Sequence, residues 1–210
     1  MSALKIALTK GRTEKQVIPL LEASGIDCTA IRNKQRRLIF NDSPDYHFIL
    51  AKGPDVLTYL DRGAMDIGIV GSDILEEQHN EQYEMLNLQT GKCHFVLAST
   101  PEFDPHQVKR KIIATKYPNI TQRYFRSIGE DVEIIKIEGS VELAPLVGLA
   151  DAIVDIVETG TTLKENNLQV FATLQSVSTR LVVNRLSLKQ HQSAIQQLIN
   201  HLQQAIKTEV

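Results

Sequence analysis

The sequence has 210 residues, which at roughly 150 residues per domain is one large domain or two small ones. Its 23 Lys and Arg against 25 Asp and Glu leave a net charge of −2, which excludes polyanion binding driven by bulk charge. Hydrophobic residues at 42% and charged residues at 23% exclude a disordered or fibrous chain, and six Phe, five Tyr and no Trp leave the core to Ile, Leu, Val and Ala.

The N-terminus, Met1 to Ile6, lacks the basic-then-apolar pattern of a secretory signal. No apolar run approaches the roughly 18 residues that cross a bilayer, so a cytoplasmic protein is expected. Leu4, Ile6 and Leu8 alternate as a strand that Lys10-Gly11-Arg12 ends. Thr13 with Gln16 resembles a capping box opening a helix over Val17, Ile18, Leu20 and Leu21, and Gly25 closes it. Cys28 and, later, Cys93 are the two thiols, too few for a disulfide framework and without the paired spacing of a zinc site.

A second strand, Phe48 to Ala51, leads through Lys52-Gly53-Pro54 into a helix, with Pro54 suited to its first position. Asp66 to Val70 reads as a buried strand, followed by Gly71-Ser72-Asp73 and a short helix. Ile112 to Ala114 precedes a helix that stops at Gly129, and Val132 to Ile137 precedes one through Val141, Leu143, Leu146 and Val147. Ala152 to Val157 is again an apolar strand. Strands alternating with helices predict an α/β fold with mixed, mostly parallel sheets. Lys92 to Ser99 and Thr179 to Arg185 are extended segments about eighty residues apart, as if the chain left one lobe, built a second and returned. From Ser187, apolar residues at three-four spacing through Ile206 predict a C-terminal amphipathic helix. The expected division is 1–92 plus 180–210 for lobe I, and 93–179 for lobe II.

Asp151 to Leu163 (DAIVDIVETGTTL) carries the chemistry. A buried strand delivers Asp155 and Glu158 to its carboxyl end, and Thr159, Gly160, Thr161 and Thr162 present hydroxyls and backbone N–H groups where a helix begins. Unpaired N–H groups and the helix dipole suit a phosphate, while the acids suit ribose hydroxyls or Mg²⁺. The plain structural alternative is a strand-to-helix turn with Gly160 left-handed and Thr162 as cap. Neither a P-loop nor a G-x-G-x-x-G is present.

The Thr159–Thr162 loop after Asp155 resembles the phosphoribosyl pyrophosphate loop of phosphoribosyltransferases. Lys10-Gly11-Arg12, Asp66 to Asp73, Ala114 to Thr121, Glu138 to Gly148 and Leu149 to Asn166 together resemble the ATP phosphoribosyltransferase family over essentially the whole chain. That resemblance implies two lobes of the type II periplasmic-binding-protein kind, with the active site in the cleft between them. It implies transfer of phosphoribosyl from phosphoribosyl pyrophosphate to N1 of ATP, with substrate-bound Mg²⁺, as the first step of histidine biosynthesis. No nucleophilic side chain is demanded, because N1 of neutral adenine already carries a lone pair.

Matched to the family, Thr159 to Thr162 hold the 5′-phosphate, while Asp155 and Glu142 stand near ribose hydroxyls or metal. Lys10 and Arg12 meet triphosphate or pyrophosphate, Gly11 allows close approach, and a solvated turn is the alternative for the pair. Arg32, Lys34, Arg36 and Arg37 form a basic run that composition alone reads as a solvated loop. By resemblance an arginine before Leu38-Ile39 serves the nucleotide phosphates, and Arg36-Arg37 offers two candidates, of which Arg36 is preferred; Arg32 is a further candidate for substrate binding. Lys52 stands where relatives often carry arginine. Asp73 and Tyr117 are candidates for adenine or ribose, or else a helix cap and a hinge-packing aromatic. The six histidines are scattered, and Cys93 reads as a buried inert thiol.

The resemblance also implies a homodimer of catalytic chains and a short form, working in a hetero-oligomer (a hetero-octamer) with a regulatory subunit resembling histidyl-tRNA synthetase. No nucleic-acid or membrane partner is expected. A non-enzymatic bilobal binding module is the alternative, but it lacks the signal peptide or DNA-binding helices such modules carry. A silent subunit would have no use for both acids and all three hydroxyls.

Overall fold

The computed structural model describes residues 3–78 and 80–208. Expectations that touch Met1, Ser2, His79, Glu209 or Val210 lie outside the described residues. Alternating Leu4, Ile6 and Leu8 form β1 (Leu4–Thr9), and Gly11 at φ 94° turns the chain into α1 (Arg12–Ala23). Glycine alone takes that φ without strain. Helix α1 opens earlier than the Thr13–Gln16 pair predicts. The acid that reaches back is Glu14, whose Oε2 accepts from the Gly11 N–H at 3.1 Å.

The path continues through α2 (Thr29–Arg32), β2 (Ile39–Phe40), β3 (Tyr46–Ala51) and α3 (Gly53–Asp61), with Pro54 in the first turn of α3. Then come β4 (Ile67–Gly71), α4 (Ser72–Glu77) and β5 (Tyr83–Asn87). A second compact unit holds β6 (Cys93–Ser99), β7 (Lys111–Thr115), α5 (Pro118–Ser127) and β8 (Val132–Lys136). It also holds α6 (Leu143–Leu146), β9 (Ala152–Val157), α7 (Thr161–Glu165) and β10 (Gln169–Val177). The chain returns as β11 (Thr179–Val183), α8 (Arg185–Gln190) and α9 (Gln192–Thr208).

The first unit runs to Gly91 and resumes at Ser178; the second is Lys92–Val177. Thr179 is already paired with Gly71 in the first sheet, so the return falls earlier than the expected boundary at 180. The sheets have the orders β2-β3-β1-β4-β11-β5 and β10-β6-β9-β7-β8. Each has a parallel trio, β3-β1-β4 in one and β9-β7-β8 in the other, flanked by antiparallel strands. Parallel pairing is thus a smaller share than the strand–helix rhythm predicts, because β2, β5, β6, β10 and β11 all pair antiparallel with their neighbours.

Leu20, Leu21 and Val17 of α1 pack with Ile195, Leu198, Ile199 and Leu202 of α9 on one face of the first sheet. Val56, Leu57 and Leu60 of α3 cover the other face. The expected C-terminal helix is two: the Asn184 side chain accepts from Leu186 and Ser187 N–H to cap α8, and the chain breaks at His191 before α9. The helix expected over 141–147 shrinks to Leu143–Leu146, with Val147 left exposed. Strand β10 has no counterpart in the sequence reading; its mixed polar and apolar pattern and two register shifts against β6 blur the alternation. Among the described residues no helix is long and apolar enough to cross a membrane.

Gly68 marks the closest approach of α3 to its sheet. A Cβ there would lie 2.6 Å from Leu60 Cδ1 and 2.8 Å from Val56 Cγ1. Gly68→Ala should therefore lower stability by about 1–3 kcal/mol, as overpacking of a tight core does. A thermal melt should read a drop of several degrees; an unchanged midpoint would show that α3 moves away at no cost.

Candidate functional site

The second unit builds its site at the carboxyl edge of its parallel trio. Ala114 and Thr115 pair with Ile153 and Val154 on β9 and with Ile135 and Lys136 on β8, so the three strands end together. The Thr115 hydroxyl locks this edge, donating to the Val154 carbonyl at 2.7 Å and accepting from the Tyr117 N–H at 2.9 Å. Val141, Ala144, Ile153 and Leu163 share one apolar cluster. Burying Val141 and Leu163 under β9 is what brings Glu142 and the Thr159–Thr162 loop to Asp155.

Asp155 is largely withdrawn from water at the end of β9. Desolvation is the main cause that pushes its carboxyl up to about 6 from an ordinary 3.8. The Ile156 N–H opposes that shift, the Glu142 charge adds to it, and the Lys116 ammonium opposes it. Beyond Asp155 the exposed loop turns at Gly160, whose φ of 74° is left-handed. The Thr159 and Thr161 hydroxyls lie 3.0 Å apart, and the Thr161 N–H points at Thr159 Oγ1 from 3.4 Å. Three exposed hydroxyls and the opening N–H groups of α7 thus crowd one small turn beside two acids. The turn expected from sequence has its left-handed glycine, but Gly160, not Thr162, takes the cap position.

The first unit repeats the geometry. Leu8 pairs with Leu50 and with Ile69, so β1, β3 and β4 also end at one edge. The Lys10 N–H donates to the Ala51 carbonyl at 2.8 Å, which seats Lys10-Gly11-Arg12 beside Lys52. Lys10, Arg12 and Lys52 are exposed there. Asp73 folds back over the turn before α4: a Cβ on Gly71 would meet Asp73 Oδ1 at 2.0 Å.

Two expected residues have other partners. Arg32 donates from Nε and Nη2 to both Glu22 oxygens at 2.6 Å each, which occupies its fork. Tyr117 is 8% exposed and sets its ring edge-on to Phe95, with centroids 4.9 Å apart, so its ring belongs to the core. Arg37 pairs with Asp42 at 3.1 Å and lies over the Phe40 ring. Lys34 pairs with Glu14. Among the described residues Arg36 is exposed with no acid at ion-pair distance. Sequence reasoning passed over Lys116 and Glu14. Glu14 is the third helical residue of α1, which a capping box placed at Gly11 rather than Thr13 points to. Cys28 and Cys93 are both buried, and burial pushes the Cys28 thiol up to about 12, so it is inert.

Comparison with known proteins agrees across the chain. The family profile described as "HisG: ATP phosphoribosyltransferase" matches residues 52–204. An ATP phosphoribosyltransferase of Lacticaseibacillus casei is 70% identical over 200 residues, covering 95% of each chain. One from Listeria monocytogenes is 60% identical over 210 residues, covering 100% of this chain and 99% of its own. Among solved structures, the ATP phosphoribosyl transferase (HisG:HisZ) complex from Thermotoga maritima matches with a TM-score of 0.80 at 36% identity, over 98% and 99% of the two chains. The aliphatic sulphonate binding protein SsuA of Escherichia coli matches over 98% of this chain and 73% of its own, with a TM-score of 0.63 at 14% identity. That likeness shows the fold alone, and it is the type II periplasmic-binding-protein fold.

Burial of Asp155 makes stability depend on pH. The folded protein holds its proton up to about pH 6, whereas the unfolded chain releases it near 3.8. Stability is therefore lost as pH rises between those values, and the penalty is complete above pH 6. Asp155→Asn should raise the melting temperature by a few degrees at pH 7.5, on the order of 2 kcal/mol, and by little near pH 4. An equal gain at both pH values would remove the carboxylate as its cause.

Proposed function

The chain belongs to the ATP phosphoribosyltransferase family, and from that premise we propose how its residues divide the work. The reaction joins C1 of phosphoribosyl pyrophosphate to N1 of ATP and releases pyrophosphate, opening histidine biosynthesis. Positive charge builds on the ribose as the C1–O bond breaks, and negative charge builds on the departing pyrophosphate. The protein's task is to hold these charges, not to supply a nucleophile.

The observation that carries the assignment is the Asp155–Thr162 turn, where an ionisable acid in a poorly solvated setting adjoins a left-handed glycine and three exposed hydroxyls. Thr159, Thr161 and Thr162 hold the 5′-phosphate with the N–H groups that open α7, and Gly160 lets the phosphate approach the backbone. Asp155 and Glu142 accept from the ribose hydroxyls, with Glu158 at the rim. Their paired charge also suits Mg²⁺ carried in by the substrate, which would screen the pyrophosphate. Lys10, Arg12, Lys52 and Arg36 answer the polyphosphate chains, and Asp73 contributes to nucleotide binding. Arg32 and Tyr117 act as supports, through Glu22 and the Phe95 contact.

We further propose a HisZ-type regulatory partner, since the matched Thermotoga structure is a HisG:HisZ complex. A homodimer of catalytic chains within a hetero-octamer, in the cytoplasm where both substrates are made, completes the reading.

The test is pyrophosphate release from ATP, phosphoribosyl pyrophosphate and Mg²⁺ by the chain with its HisZ-type partner. Asp155→Ala and Thr162→Ala should each lower turnover by about tenfold or more in folded protein. With the wild type, kcat/KM for phosphoribosyl pyrophosphate should fall as pH drops through about 6, because protonated Asp155 loses an acceptor. Absence of release with the partner present, or variants at wild-type rate, would refute the assignment.

A further inference from the structure

Glu14 has no part in the roles above, yet it is 3% exposed on α1, at the turn that carries Lys10 and Arg12. A buried carboxylate is costly unless both oxygens are satisfied. Here Oε2 accepts from the Gly11 N–H at 3.1 Å, and Oε1 takes the Lys34 ammonium. One side chain thus ties together two segments far apart in sequence.

What Lys34 brings with it is a tight turn. Arg37 N–H donates to the Lys34 carbonyl at 2.8 Å, and Gln35 within it has φ 50°. A non-glycine residue in the left-handed region costs free energy and persists only where the surroundings hold it. Arg36 sits in that turn and, among the described residues, is the member of the basic run without an acid at ion-pair distance. Its neighbours Arg32, Lys34 and Arg37 are each occupied by an acid.

The sign of the Glu14 charge matters. A carboxylate at the start of a helix that faces polyphosphate weakens the electrostatic attraction for that anion. An apolar side chain of the same volume would fill the site as well or better. What a charged, two-armed residue adds is registry between the segments it bridges.

We propose that Glu14 is a positioning residue: by holding Gly11 and Lys34 together, it sets the Lys10–Arg12 turn and the Arg36 turn as one basic surface for a polyphosphate substrate. This rests on the reading of Lys10, Arg12 and Arg36 given above. Glu14→Gln keeps the volume and an oxygen for the Gly11 N–H but gives up the charge that holds Lys34.

The experiment is a double-mutant cycle of Glu14→Gln and Arg36→Ala in the chain with its HisZ-type partner, varying ATP and phosphoribosyl pyrophosphate separately. Glu14→Gln should raise KM for one of the two substrates about fivefold or more, with kcat within about twofold. The Arg36→Ala loss in kcat/KM should shrink by about threefold or more in the Glu14→Gln background, because Arg36 is then already displaced. If Glu14→Gln does not fold by thermal melt, Lys34→Met takes its place in the cycle with the same expectations. An Arg36→Ala loss that is equal in both backgrounds overturns the role of Glu14 alone, and so does a fall in kcat with KM unchanged. An Arg36→Ala protein at wild-type kcat/KM overturns the reading of Arg36 and this inference with it.

Discussion

Parallel strands in matched register are the constraint from which the rest of the molecule follows. When Leu8 pairs with both Leu50 and Ile69, three strands end at the same level and their connections emerge side by side. The same holds for Ala114 with Ile135 and Ile153. Residues distant in sequence then meet at one edge: Lys10 with Lys52 in one unit, Lys116 with Asp155 in the other. Binding at the carboxyl ends of parallel strands is the general behaviour of open α/β sheets. The antiparallel strands bring further segments to that edge: β2 enters beside the carboxyl end of β3, with Ile39 opposite Ile49, and β11 enters beside that of β4, with Thr179 opposite Gly71.

Within this frame the two units treat buried acid differently. Glu14 is paired on both oxygens, so its charge serves geometry. Asp155 is raised by desolvation first and by the Glu142 charge second, against the Ile156 N–H and the Lys116 ammonium. The cost of keeping Asp155 ionised at neutral pH falls on the folded protein before any substrate arrives. On the proposed role of Asp155, cationic ribose chemistry would reverse the sign of that interaction: an anion that the fold disfavours becomes favourable where positive charge develops.

Much of this layout was legible in sequence because it is punctuated by residues with few alternatives. Gly11, Gly25, Gly63, Gly129 and Gly160 all take positive φ, and each lies at an element end that the pattern marks. Strand β1 stands out by its alternating Leu4, Ile6 and Leu8, and β4 and β9 stand out as apolar runs whose first residues are buried on both faces. Strand β10 does not: it is only partly buried, its register slips twice, and so no period of two survives in Gln169–Val177. Helix α6 looked longer because Val141 and Val147 fit a helical stripe, although Val147 faces water. At the site, the loop was readable from its residue types. Which arginine of the 32–37 run has no acid at ion-pair distance among the described residues was not, since that depends on Glu22, Glu14 and Asp42, brought near by folding.

On the proposed division of roles, a chain of net charge −2 serves two polyphosphate substrates through the arginine of this run that has no acid at ion-pair distance among the described residues. That proposal makes selectivity a matter of pairing cations off, not of accumulating them. The pairs are unequal. Arg32–Glu22 and Arg37–Asp42 join side chains open to water, so salt screens them and each adds little to stability. Lys34–Glu14 ends on a carboxylate shielded from solvent, where screening is weak and an unpaired charge would be costly. Two flexible ties and one firm one leave the segment with a single fixed point at Lys34, two residues from Arg36. The order of the basic run therefore depends on the acid buried beneath it more than on the number of positive charges it carries.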